Sequence, residues 1–170
     1  MIRRSHPTSL SPIGRLITTL CVAATLVASA TASIADTHGD DSARIGYRQK
    51  VMSAIGTNMG AIGDIMKNQL ALPGAVANHA NQMADAAALI APAFRKRITD
   101  GATDAQPAIW DDWAKFEEAI AQYEEAARAL ADAATNDPSK VGAAMRGLGK
   151  SCGGCHKPFR KPKEESYKNQ

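Results

Sequence analysis

Apolar residues recur along this chain in steps of three and four, the spacing that lays them on one face of an α-helix. One stripe runs Met52, Ile55, Met59, Ile62, Met66. The run is preceded by Asp40, Asp41 and Ser42, residues suited to a helix start, and followed by Pro73, which cannot continue a helix. A second stripe, Val76, His79, Met83, Ala86, Ile90, precedes Pro92, where a helix should kink or end. The polar stretch from Thr99 to Gln106 reads as a loop, and Pro107 fits the first turn of a third helix. That helix carries Trp113, Phe116, Ile120, Tyr123, Ala127 and Leu130. Asp137 and Pro138 then restart the chain into a fourth stripe, Val141, Met145, Leu148, Cys152, Cys155, Phe159. No run of alternating β-branched residues interrupts this pattern. Four amphipathic helices on short turns predict an all-α protein, an antiparallel up-down-up-down four-helix bundle.

The first 35 residues do not belong to that pattern. Arg3, Arg4 and Arg15 flank an apolar run, Leu16 to Ala30, too short for a comfortable membrane span. Small residues follow at cleavage-like spacing, Ala28 and Ala30 or Ser33 and Ala35. Residues 1–35 therefore read as a cleaved secretory signal peptide, with a retained anchor helix as the alternative, and 36–170 as one mature domain. The expected compartment is the periplasm, with no membrane anchor after cleavage. Cys21 is assigned to the discarded peptide, because Leu20 precedes it where a lipoprotein would have a small residue. The segment up to about Asp40 and the tail after Lys163 are expected to be loose.

Removing the leader changes the charge. It holds three Arg and no acid, so 17 of the 20 basic residues remain against 17 acidic ones. The mature chain is then near neutral and lacks the basic surface that nucleic-acid binding requires. No nucleophile sits beside a base, no carboxylates are paired for acid–base work, and no phosphate-cradling loop occurs, so an enzyme is not expected. Glu117, Glu118, Glu124 and Glu125 form the polar side of the third helix.

Chemistry concentrates in "SCGGCH", residues 151–156. Cys152, Cys155 and His156 offer two thiols and an imidazole within about one helical turn. A zinc site would want a second ligand pair, which neither His38 nor His79 supplies. A thioredoxin-like redox pair would want a βαβ context, and a plain disulfide leaves His156 without a purpose. The fourth reading is covalent haem c, one per chain, with both sulfurs joined to the porphyrin and the adjacent imidazole on the iron. Because both cysteines lie on the core stripe of the fourth helix, that haem belongs inside the bundle.

With "YRQKVM" near the first helix start, "IW" at Ile109 and Trp110, and "CGGCHKPFR" near the end, the chain resembles the class II cytochromes c, the family of cytochrome c′ and its low-spin relatives. The resemblance spans about Asp41 to Arg160, and cytochrome c′ is itself a standard example of the four-helix bundle. It implies covalent haem attachment at Cys152 and Cys155 and a proximal iron ligand at His156. It also implies a proximal arginine at Arg160, near the imidazole or a propionate, and a propionate partner at Arg48. The plainer readings are a helix-end cation for Arg160 and a solvated charge for Arg48. The distal position falls on Met52. An iron-bound thioether there gives a six-coordinate centre suited to electron transfer. A Met52 that only leans over the iron leaves a five-coordinate site open to nitric oxide or carbon monoxide.

Arg48, Met52, Gly56 and Gly63 share one helical face, where missing side chains would let a porphyrin edge approach the backbone. Met59 and Met66 are expected to be core filler. His79 is a second candidate for the sixth ligand, though such a histidine is more often hydrogen-bonded core, and His38 a weaker one. Trp110, Trp113 and Tyr123 read as packing. Lys157, Lys161, Lys163 and Lys168 could dock an acidic redox partner, with a solvated tail as the safer account. The resulting expectation is a periplasmic mono-haem electron carrier with redox partner proteins, and a gas-binding haem protein as the rival. A metal or redox-thiol helical protein stands further off. The resemblance also implies homodimers through the first two helices.

Overall fold

The computed structural model describes the backbone of residues 28–169 and the side chains of residues 39–169. Most of the predicted leader, with Cys21, lies outside the described residues, as does the side chain of His38. The chain divides into two units, Met1–Gly39 and Asp40–Gln170, and the second carries the bundle. The helices are α1 (Ala28–Asn68), α2 (Ala75–Phe94), α3 (Ala108–Asp111), α4 (Trp113–Asn136) and α5 (Val141–Phe159). No helix of the described residues is long and apolar enough to cross a membrane.

α1 begins at Ala28, well before the expected cap at Asp40 to Ser42. Nothing in the Ala-rich stretch before Gly39 breaks a helix, so the acidic residues sit inside one. Asp40 instead pairs with Arg44 one turn on, at 2.8 Å, and with Lys96, at 3.2 Å. At its other end α1 stops as the stripe predicts. Gln69 turns into the left-handed region at φ 52°, and Leu70 N–H donates to the Ile65 carbonyl at 3.0 Å, a Schellman closure.

α2 runs through Pro92 to Phe94 rather than ending near Ile90. The proline lies in the last turn, and the carbonyl it cannot serve belongs to Ala88, an exposed residue that water can satisfy. The terminal carbonyls are bound from other segments: Arg48 donates to Ala93 O at 2.9 Å, and Trp110 Nε1 donates to Phe94 O at 2.7 Å. The inner face of α2 is Ala77, Ala80, Met83, Ala84, Ala87 and Ile90. The expected stripe is thus displaced, with His79 and Ala86 only half-buried. Alanine carries little apolar signal, yet it lets backbones approach closely, which suits the packing of α2 on α4.

The expected third helix is broken in two. Pro107 opens α3, and α4 restarts after Asp112, which leaves helical geometry (φ −136°, ψ 69°) and accepts from Lys115 N–H at 3.1 Å. The stripe survives the break, with Phe116, Ile120, Tyr123, Ala127 and Leu130 all buried. Asp137 and Pro138 do restart the chain, first as a 3-10 turn over Pro138–Lys140 and then as α5. Ile62, Met83, Ile109, Leu130 and Leu148 are the large side chains buried completely. Each contributes roughly 1.5–3 kcal/mol by leaving water.

The tail is ordered, contrary to expectation. Two 3-10 turns, Lys163–Glu165 and Tyr167–Asn169, follow α5, and Ser166 is only 8% exposed. Asp104 holds the segment with both carboxylate oxygens: Ser166 Oγ and Tyr167 N–H each donate to it at 3.0 Å.

Candidate functional site

One cavity of about 880 Å³ lies in the unit Asp40–Gln170, and α1, α4 and α5 all contribute to it. Cys152, Cys155 and His156 enter from α5, Met52 and Gly56 from α1, and Ala119, Ile120 and Tyr123 from α4. The core stripe of α5 thus does what its spacing promised: both cysteines are half-buried and packed against the main apolar cluster. The chain has three phenylalanines, and all three line the cavity. Phe116 stacks edge-on with Phe94 at 5.4 Å and with Phe159 at 5.2 Å, so the three rings form one apolar wall of the cavity.

The electrostatics suit neutral donors. Burial pushes the Cys155 thiol up to about 11, with the nearby Cys152 adding to the shift, and burial raises Cys152 as well. Redox-active dithiols have lowered pKa values, so these thiols do not read as an exchange centre. Both are free of a disulfide. The His156 pKa is lowered, first by desolvation from the protein around it and then by the Arg160 charge, and the shift is modest in effect because the residue is exposed to solvent. A neutral imidazole is the form that binds a metal.

The remaining candidates sort by position. Met52 is half-buried and lines the cavity, with Met59 beyond it. Gly56 lines it too, and a Cβ built there would meet nothing within 4 Å. Gly56 is exposed, so the space beside it is open to solvent. Gly63 is not part of the lining. Met66 is 38% exposed at the end of α1 and is not core filler. His79 lies away from the cavity, its Nδ1 2.7 Å from Asn58 Oδ1.

Arg48 lines the cavity but is no solvated charge: it is 3% exposed. Its guanidinium donates to the carbonyls of Ala93, Ile98 and Lys96 and stacks on Phe94 and Trp110 at 5.0 and 5.2 Å. Burial lowers its pKa, yet a guanidinium stays charged at any physiological pH. Arg160 lines the cavity near His156, but no helix carries it there. α5 ends at Phe159, and Arg160 is extended (φ −121°, ψ 139°). The loop before α3 captures its neighbours: Gln106 N–H donates to Phe159 O at 3.0 Å, and Lys161 N–H donates to Asp104 O at 2.7 Å.

Sequence reasoning missed two contributors. Tyr123, expected as packing, donates to Met83 O at 2.7 Å and lines the cavity. The tail supplies Lys163, Ser166, Tyr167, Lys168 and Asn169 to the lining, and no periodicity or motif marks it. Trp110 and Trp113 do pack, the latter under Arg95 at 4.6 Å.

The lining fits a flat apolar group tethered through two sulfurs: it is mainly apolar, includes Gly56 on the α1 side, and carries Arg48, Arg160, Lys163 and Lys168 as its cations. The family described as Cytochrome C′ matches residues 43–160 of this chain. The chain is 36% identical to a cytochrome c′ of Rhodospirillum rubrum over 143 residues, covering 83% of this chain and 97% of that protein. It is 31% identical to a cytochrome c-556 of Rhodopseudomonas palustris over 151 residues, covering 85% and 97%. Among solved structures it is similar to the nitric oxide complex of a cytochrome c prime mutant from Alcaligenes xylosoxidans. That match has TM-score 0.64 and 29% identity, and covers 72% of this chain and 97% of that one.

Proposed function

The chain belongs to the cytochrome c′ family and carries covalently attached haem c; from that premise we propose that it is a periplasmic carrier of single electrons. Cys152 and Cys155 would tether the haem, and His156 and Met52 would hold its iron. When bound, the haem supplies an iron that alternates between ferric and ferrous, one electron at a time.

The observation that carries this reading is the convergence of Cys152, Cys155 and His156 from α5 with Met52 from α1 on one apolar cavity. α5 holds the two sulfurs and the neutral imidazole in a fixed order along one helix. Met52 has three rotatable side-chain bonds and an open neighbour at Gly56, so its thioether has room to advance. The three phenylalanines present an apolar wall, and the Tyr123 hydroxyl donates to the Met83 carbonyl rather than to a ligand. Methionine and histidine together on the iron would raise the haem potential, which suits a carrier. Partners are redox proteins. Residues 1–35 are the export signal.

A second reading is favoured by the solved relative that binds nitric oxide. In it Met52 stands aside and small gases reach the iron from the α1 side. The absorption spectrum separates the two. With Met52 bound, reduced protein shows a sharp low-spin spectrum that carbon monoxide leaves unchanged, and Met52→Ala converts it to a broad, gas-sensitive one. A wild-type spectrum already broad and shifted by the gas establishes the second reading instead.

A further inference from the structure

The tail lies beyond residues 43–160, the span matched by the family, yet it closes one side of the cavity. We propose that Lys163–Asn169 is the carboxylate-facing wall of the haem site, with Lys163 and Lys168 paired to the propionates. The inference rests on haem occupying the cavity described above.

Three observations carry it. First, the segment is built in place rather than draped. Asp104 accepts from Ser166 and Tyr167 at 3.0 Å each, Gln49 Nε2 donates to the Tyr167 hydroxyl at 3.1 Å, and Gln49 also donates to Ala102 O at 2.7 Å. Three segments, α1, the loop and the tail, are thereby tied together beside the cavity. Second, the charge of the cavity is net positive. Its charged residues besides His156 are Arg48, Asp104, Arg160, Lys163 and Lys168, four cations against one acid in a lining that is otherwise mostly apolar. Asp104 is the single acidic side chain of the lining, and both its oxygens already accept hydrogen bonds from the tail. Third, the cations differ in what they have left to give. Arg48 spends donors on three carbonyls. Among the described residues Lys163 and Lys168 form no ion pair, and the Lys168 ammonium rests 5.9 Å from the Tyr167 ring.

Haem presents an apolar body and two carboxylates on one edge. A largely apolar lining that carries four cations against one acid suits that amphipathy, and exposed ammonium groups with no ion pair are free to turn toward a carboxylate. The tail therefore supplies charge that the matched family region leaves to Arg48 and Arg160.

The test uses holoprotein and reads the midpoint potential. Neutralising cations beside the propionates favours the ferric state, so K163Q/K168Q lowers the potential. K163R/K168R keeps it at the wild-type value, and K140Q/K150Q, a control on exposed lysines outside this cavity, leaves it unchanged. A K163Q/K168Q potential equal to that of the control, or one not restored by arginine, overturns the proposal. Trypsin gives an independent reading: cleavage after Lys163 should be about tenfold faster in Asp104→Ala, where two hydrogen bonds to the tail are lost. Equal rates also overturn it. Haem staining of each variant on a denaturing gel distinguishes these outcomes from failure of the haem site itself, which would leave the chain unstained.

Discussion

Tyr123 shows how one side chain ties the core to the site. Its hydroxyl donates to Met83 O across the α2–α4 packing, and its ring lines the cavity. Burial raises its pKa above the ordinary 10.0, with Cys152 a lesser cause. The unfolded chain ionises this phenol near 10 while the folded chain resists, so the stabilisation is complete below pH 10 and drains away as pH climbs above it. Tyr123→Phe should cost about 1 kcal/mol at pH 7 through the lost hydrogen bond. Its unfolding free energy should then fall less steeply than that of the wild type above pH 10, which paired denaturant melts would read. At this same scale the motif residues were legible and their surroundings were not. Cys152, Cys155 and His156 announce themselves by spacing, and Met52 by resemblance. The partners of Arg48 are backbone carbonyls 45 to 50 residues away, which no local pattern encodes.

Among the elements, periodicity located the helices and erred on their ends and faces. The end of α1 and the restart at Asp137 stand where turn chemistry put them. α2 runs on past Ile90 because its last carbonyls find Arg48 and Trp110, donors from other segments. The inner face of α2 is misread because five of the helix's seven buried residues are alanines. Asp112 breaks the third helix by a competing cap that the unbroken apolar stripe conceals. Arg48 is the strongest test of this level, since it closes α2 from α1. Arg48→Ala leaves the carbonyls of Ala93, Lys96 and Ile98 without their donor and removes two cation–π contacts, and should cost on the order of 3 kcal/mol. Arg48→Lys should recover only part, because a single ammonium cannot reproduce the fork. Urea denaturation with an unchanged m-value would measure both.

For the molecule as a whole, the cavity sets the terms. A cavity of about 880 Å³ that opens to solvent and is lined mainly by apolar residues leaves that surface in water until a ligand covers it. The bundle is therefore expected to gain stability from what fills it. A Cys152→Ala/Cys155→Ala protein, with no tether for haem, should keep much of its far-ultraviolet helical signal. It should lose near-ultraviolet fine structure, bind a hydrophobic dye and unfold over a broader range than holoprotein. A sharp, holoprotein-like transition in that variant would show that the helices alone make the native core. The few aromatics fit this dependence, since all three phenylalanines are spent on the cavity wall.

What the sequence determined by itself was local: helical periodicity, turn residues, and a cysteine–histidine cluster on the core stripe of the last helix. These follow from backbone geometry and side-chain chemistry within a few residues. Tertiary structure decided what joins distant segments: the displaced face of α2, the burial of Arg48 under α2, the extended Arg160, and the tail fastened to Asp104. Each of these depends on a donor meeting an acceptor, or a small side chain meeting a close backbone, only after the helices have packed.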